Sequence, residues 1–123
     1  MDAIEAVTTG HTAGLSELIR TGGDLDITDK NGMTPLILAA AAGRLDMLKL
    51  LLRGSVALNA QDKLGQTALM IAAGRGDVLA ARELIAAGAN VNLVARNGLT
   101  ALGYALDNGS REAARILRQA GAR

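Results

Sequence analysis

Shifted against itself by 33 residues, the chain aligns from end to end without a gap. Asp29-Lys30-Asn31-Gly32-Met33-Thr34-Pro35-Leu36 falls on Asp62-Lys63-Leu64-Gly65-Gln66-Thr67-Ala68-Leu69. That segment falls in turn on Ala95-Arg96-Asn97-Gly98-Leu99-Thr100-Ala101-Leu102. Glycines recur in phase at Gly10, Gly43, Gly76 and Gly109, and again at Gly22, Gly88 and Gly121. A period of this length means that each unit is one supersecondary module, unable to bury its apolar face except against its neighbours. The units read as 29–61, 62–94 and a shortened 95–123, with 1–28 supplying a headless first unit of a single domain, 1–123.

Within a unit the local signals are those of two short helices. Thr34, Thr67 and Thr100 are N-cap residues, each able to accept from a free N–H of the first turn. Pro35 follows at the first helical position, where a missing N–H costs nothing. The first helix is expected over Leu36 to about Ala42, ending at Gly43 in a left-handed C-cap. The second runs from about Leu45 to Arg53. Asp77 and Ser110 cap the equivalent helices, whereas Arg44 is a poor cap whose helix should fray. Helices this short are not stable alone in water, where about 12–15 residues are needed for even marginal stability. Stacking must hold them. Ala39-Ala40, Ala72-Ala73 and Ala105 let neighbouring backbones approach closely, which accounts for a chain that is half hydrophobic yet has Tyr104 as its one aromatic residue. Asn31-Gly32 and its equivalents turn the chain at the tip of a short hairpin.

The run Asp29-x-x-Gly32-x-Thr34-Pro35-Leu36, then Ala39-Ala40-x-x-Gly43, Leu50-Leu51-Leu52 and Leu58-Asn59, resembles one ankyrin repeat. Gly88-Ala89-Asn90-Val91-Asn92 resembles the closing loop of the next, and the likeness covers the whole chain. The resemblance implies an all-α repeat fold: an ankyrin-type solenoid of four stacked helix-turn-helix pairs with short β-hairpin tips. Leu106, where inner units carry Ala40 and Ala73, and the polar faces around Glu5 to Glu17 and Arg111 to Gln119 mark the ends as caps. The four pairs are therefore expected to be complete as they stand.

Three departures from the family pattern carry consequences. The family usually has His after Thr-Pro-Leu, where this chain has Ile37, Met70 and Gly103, so the polar network to the capping Thr should be absent. Ala95 replaces the Asp that heads the other units, weakening that hairpin. Ser55 replaces the Gly that closes the second helix, directly after an extra Gly54. Either Gly54 takes the left-handed cap or Ser55 is strained, and strain would make Ser55→Gly stabilising.

Little in the chain points to chemistry of its own. There is no cysteine, and His11, the single histidine, is assigned a plain surface role. Gly74-Arg75-Gly76 reads as a helix terminus in phase with Gly43 rather than as a nucleotide loop, which needs a third Gly and a preceding strand. Asp24 with Asp26, and Asp46 with Asp77, fit capping and helix-dipole roles. No catalytic residue, metal site, cofactor or small-molecule substrate is expected. Thirteen basic against twelve acidic residues, the lack of a basic leader and the short apolar runs suggest a soluble, cytoplasmic protein that is monomeric when free and does not bind a membrane.

What the resemblance implies is non-catalytic protein binding, as an adaptor or a regulatory or inhibitory subunit, on the concave side. Carried onto this chain, that surface is Lys30, Asn31, Met33, Lys63, Leu64, Gln66, Arg96, Asn97 and Leu99 at the tips. Ala41, Ala42, Arg75, Asp107 and Asn108 follow on the first-helix edges, with Thr8, Thr9 and Gly74 beside them. Lys30, Lys63 and Arg96 share one repeat position, so stacking should space them at about 10 Å. They form either a cationic stripe for an acidic segment or solvated tips paired with Asp29 and Asp62. Met33, Leu64 and Leu99 are apolar where water favours polar residues. Together they suggest a partner with an acidic and apolar segment. Nucleic-acid binding through the stripe, or self-association through a terminal cap, are the alternatives; the absence of stacking aromatics and the small net charge weigh against nucleic acid.

Overall fold

The computed structural model describes residues 1–123. Eight helices form four hairpins: α1 (Ala3–Thr9) with α2 (Thr12–Thr21), α3 (Pro35–Ala42) with α4 (Leu45–Arg53), α5 (Ala68–Gly74) with α6 (Val78–Ala86), and α7 (Ala101–Asp107) with α8 (Arg111–Gln119). There is no strand. The tips expected to be β-hairpins are hydrogen-bonded turns. Each holds two backbone hydrogen bonds, in the first tip from the Asp29 N–H to the Met33 carbonyl and from the Gly32 N–H to the Asp29 carbonyl.

The first helices begin as their sequence directs. Thr34, Thr67 and Thr100 accept from the N–H of Ile37, Met70 and Gly103, each at 3.2 Å. Thr34 and Thr67 are the only buried polar side chains, and both are satisfied in this way. Ile37 and Gly103 return nothing to their caps, but the Thr67 N–H donates to Met70 Sδ at 3.5 Å, so part of the expected missing network survives through a thioether. Asp77 and Ser110 cap α6 and α8 through the N–H groups of Ala80 and Ala113. Arg44 makes no cap bond.

Two expectations are corrected. His11 is more than a surface residue: its Nδ1 accepts from the Gly14 N–H at 2.7 Å and caps α2. At the end of α4 neither Gly54 nor Ser55 is left-handed; Gly54 is extended (φ −89°, ψ −179°) and no residue other than Gly has positive φ. A Cβ at Gly54 would meet the end of the Leu25 side chain, which would have to turn aside. With no strain at Ser55 to relieve, the reason for Ser55→Gly to stabilise disappears.

The core is continuous through all four hairpins, and alanine is its commonest residue. Ala39, Ala40, Ala72, Ala73 and Ala105 have at most 1% of their surface exposed. Between α3, α5 and α7 these small side chains allow closer packing than exists between α4, α6 and α8, where Met47, Leu48, Leu51, Leu84 and Leu117 hold the backbones apart. From α3 onward the row of first helices is thus packed more tightly than the row of second helices. On the opposite side the divergence opens a seam between α6 and α8, lined by Ile85, Ala86, Ile116 and Ala120. Leu106, 52% exposed, lies on α7 at the position where Ala40 and Ala73 are buried.

Candidate functional site

The tips precede the first helices, and their shape is set by side-chain acceptors. Asp29 Oδ1 takes the N–H groups of Asn31 and Met33, both at 2.9 Å. Asp62 Oδ1 takes those of Leu64 and Gln66, again at 2.9 Å. In the last tip Ala95 has no acceptor to offer, but Asn97 Oδ1 takes the Leu99 N–H at 3.0 Å, restoring one of the two bonds. The tips are also joined to one another: the Lys63 N–H donates to the Asn31 carbonyl and the Arg96 N–H to the Leu64 carbonyl, both at 3.0 Å. This approach requires Gly65. Its φ is +76°, and a Cβ would come within 2.9 Å of the Arg96 nitrogen.

Lys30, Lys63 and Arg96 are exposed, and none makes a side-chain hydrogen bond or ion pair. The reading in which they pair with Asp29 and Asp62 is corrected, because those carboxylates serve their own backbones. Ion pairs between hairpins lie on the second helices instead: Lys49 with Glu83 at 3.8 Å and Arg82 with Glu112 at 3.1 Å. Glu112 also accepts from Arg115, and this contact foremost, with Arg82 adding to it, holds its carboxyl below the usual glutamate range. Asp46 is lowered likewise, chiefly by its hydrogen bonds from Arg44. The ion pairs that join hairpins therefore lie on the second helices, and the three tip cations take no part in any.

The apolar tip residues divide. Leu64 is 64% exposed. Met33 and Leu99 are half-buried: Met33 packs against the core and Leu99 lies over Gly103, so the expected row of three exposed apolar tips reduces to one. Ala41 and Ala42, with Val7, Thr8, Leu38 and Arg44, line a shallow hollow between α1 and α3. Asn31, Asp107 and Asn108 are exposed, Asn108 being the C-cap residue of α7.

Arg75 is exposed but occupied. Its Nη1 donates to the Ala41 carbonyl at 3.0 Å, so a cation from one hairpin meets the free carbonyls at the end of the preceding first helix. Arg44 lies over Gly10 in a similar way. Both arginines serve stacking before they serve any ligand.

Tyr104, absent from the sequence-derived surface, lies at the centre of it. Its ring lies beside Gly74. Its hydroxyl accepts from Gln66 Nε2 at 3.1 Å and Asn97 Nδ2 at 3.0 Å. Leu64, Gln66, Arg96, Asn97 and Tyr104 thus line one notch between the last two tips. The available signal was that the one aromatic of the chain falls at the repeat position of Leu38 and Ile71, one period from a helix containing Gly74.

No helix is long and apolar enough to cross a membrane. The family model described as ankyrin repeats in three copies matches residues 52–123, and that for a single ankyrin repeat matches residues 31–63. No curated protein matches the chain significantly.

Proposed function

This chain belongs to the ankyrin-repeat family, whose repeats are generally protein–protein interaction modules, and from that premise we propose that it is a non-catalytic adaptor or regulatory or inhibitory subunit that holds a protein partner on its concave face. The observation that carries the reading is the pairing of unmatched cations, Lys63 and Arg96, with the exposed Leu64 between them on tips already fixed by hydrogen bonds. A shelf ordered before binding loses little conformational entropy when a partner arrives. Apolar contact then supplies affinity, and the flanking charge speeds encounter with an acidic segment. The seam between α6 and α8 is a weaker candidate because its rim cation, Arg82, is already matched by Glu112. Under this reading 1–123 acts as one cytoplasmic ankyrin-repeat domain.

The test is capture from native lysate by the wild type, by a Lys63→Glu, Leu64→Ala, Arg96→Glu variant, and by Lys49→Glu on the outer helices as control. Partners held by wild type and control but lost by the tip variant support the concave face. Retention of every partner by the tip variant refutes it.

A further inference from the structure

We propose that the notch between the last two tips is a carboxylate-binding pocket, in which Arg96 and the Tyr104 hydroxyl hold an acidic side chain of a partner while Leu64 contacts an apolar neighbour of that side chain. The inference rests on the concave-face reading and assigns it a chemical anchor. It follows from a surplus of hydrogen-bond donors. The Asn97 carboxamide is fixed in orientation, because its Oδ1 accepts from the Leu99 N–H, so its Nδ2 can only donate toward Tyr104. Gln66 Nε2 supplies a second donor to the same phenolic oxygen, which leaves the phenolic hydrogen without an acceptor in the chain. Turning the Gln66 amide over would satisfy the phenol but aim the Gln66 N–H groups outward instead, so the surplus remains.

Charge has the same sign. The Arg96 side chain makes no hydrogen bond or ion pair, and Ala95 stands where the other two tips carry an aspartate. A guanidinium fork beside one hydroxyl donor suits a planar two-oxygen anion. The exposed Leu64 on the same rim favours a carboxylate flanked by apolar residues over a free inorganic anion. The phenol is held from three sides, by Gly74, Gln66 and Asn97, so its hydroxyl is placed before any ligand arrives.

The experiment titrates the full chain with acetyl-Leu-Glu-Leu-Glu-amide and its glutamine counterpart, acetyl-Leu-Gln-Leu-Gln-amide, and separately with inorganic phosphate. The readout is the nitrogen–proton spectrum of the Gln66 and Asn97 side-chain amides and the Arg96 Nε–H. Saturable shifts with the glutamate peptide alone are expected. Tyr104→Phe and Arg96→Met should each weaken binding by roughly 3–10-fold, the loss expected for one hydrogen bond at a solvent-exposed site, with the backbone spectrum kept. Equal shifts from the glutamine peptide, unchanged affinity in Tyr104→Phe, tighter saturation by phosphate, or no shift at all would overturn the pocket. Glutamate-specific shifts confined to Leu38, Ala41 and Ala42 would overturn it while leaving the concave face in place. Shifts confined to α4, α6 and α8 would remove both.

Discussion

Asp26 Oδ1 accepts a hydrogen bond from the Ala57 backbone N–H at 2.8 Å, across 31 residues of sequence. Asn59 repeats the contact to the Asn90 N–H at 2.8 Å, and Asn92 repeats it to the Arg123 N–H at 3.2 Å. One side-chain acceptor at one repeat position therefore stitches all three junctions. Asn59→Ala is expected to cost about 0.5–1.5 kcal/mol, near the lower end because the site is exposed. Asn59→Asp should stay close to wild type, since Asp26 performs the same task. Urea denaturation of both variants checks this, and equal losses would mean that the acceptor is not what matters.

Gly65 and Gly98 occupy the same turn position with φ of +76° and +86°, but only Gly65 has a backbone pressed against it. The two substitutions therefore separate strain from contact. Gly98→Ala should cost about 1–2 kcal/mol for the left-handed conformation alone. Gly65→Ala should cost roughly a further 1–3 kcal/mol, because the Arg96 nitrogen must move. Melting temperatures in the opposite order would show that the tips are not packed as described.

What could be read from the sequence and what could not divide by distance along the chain. Helix limits at Arg53, and the capping by Thr34, Thr67, Thr100, Asp77 and Ser110, depend on contacts three residues apart and were legible. The His11 cap is equally local but uses an imidazole in place of the usual hydroxyl or carboxylate, so residue preference did not reveal it. Gly54 is extended, and its nearest packing neighbour, Leu25, is distant in sequence, so neither feature could be read locally. The Arg75 bond to Ala41 and the Gln66 bond to Tyr104 span 34 and 38 residues. Periodicity puts such groups near one another but does not say which way a long side chain turns. The stripe of Lys30, Lys63 and Arg96 was legible as a position. Its lack of partners became visible only when Asp29 and Asp62 were found serving their own loops.

Glu112 gives the outer face a pH response. Its hydrogen bonds from Arg115 and its proximity to Arg82 depress its folded-state pKa, so this stabilisation is present above the unfolded value, about 4.3, and fades as pH falls through the lower folded value. Because the carboxylate is exposed, the effect is small and sensitive to salt. At neutral pH and low salt Glu112→Gln should melt below wild type. The gap should narrow as the pH falls below the unfolded glutamate value, and in 1 M salt, where the Debye length is about 3 Å. A gap that survives acid would assign the loss to something other than the carboxylate charge.

Arg75 and the tip cations should separate when stability and association are measured together. Arg75 holds the end of α3 through the Ala41 carbonyl, whereas Lys63 and Arg96 hold nothing within the chain. Arg75→Ala should therefore lower stability by about 0.3–1 kcal/mol, the usual worth of a cation at an exposed helix C-terminus. The Lys63→Ala, Arg96→Ala pair should stay within about 0.5 kcal/mol of wild type, as surface substitutions without partners do. Association with an acidic partner should reverse the order, because the tip side chains are free to meet the partner whereas that of Arg75 is held by Ala41. The tip pair should slow association and flatten its salt dependence more than Arg75→Ala does. If Arg75→Ala slowed association as much as the tip pair, its guanidinium would have to leave Ala41 to meet the partner, and the stacking contact would be only its resting position.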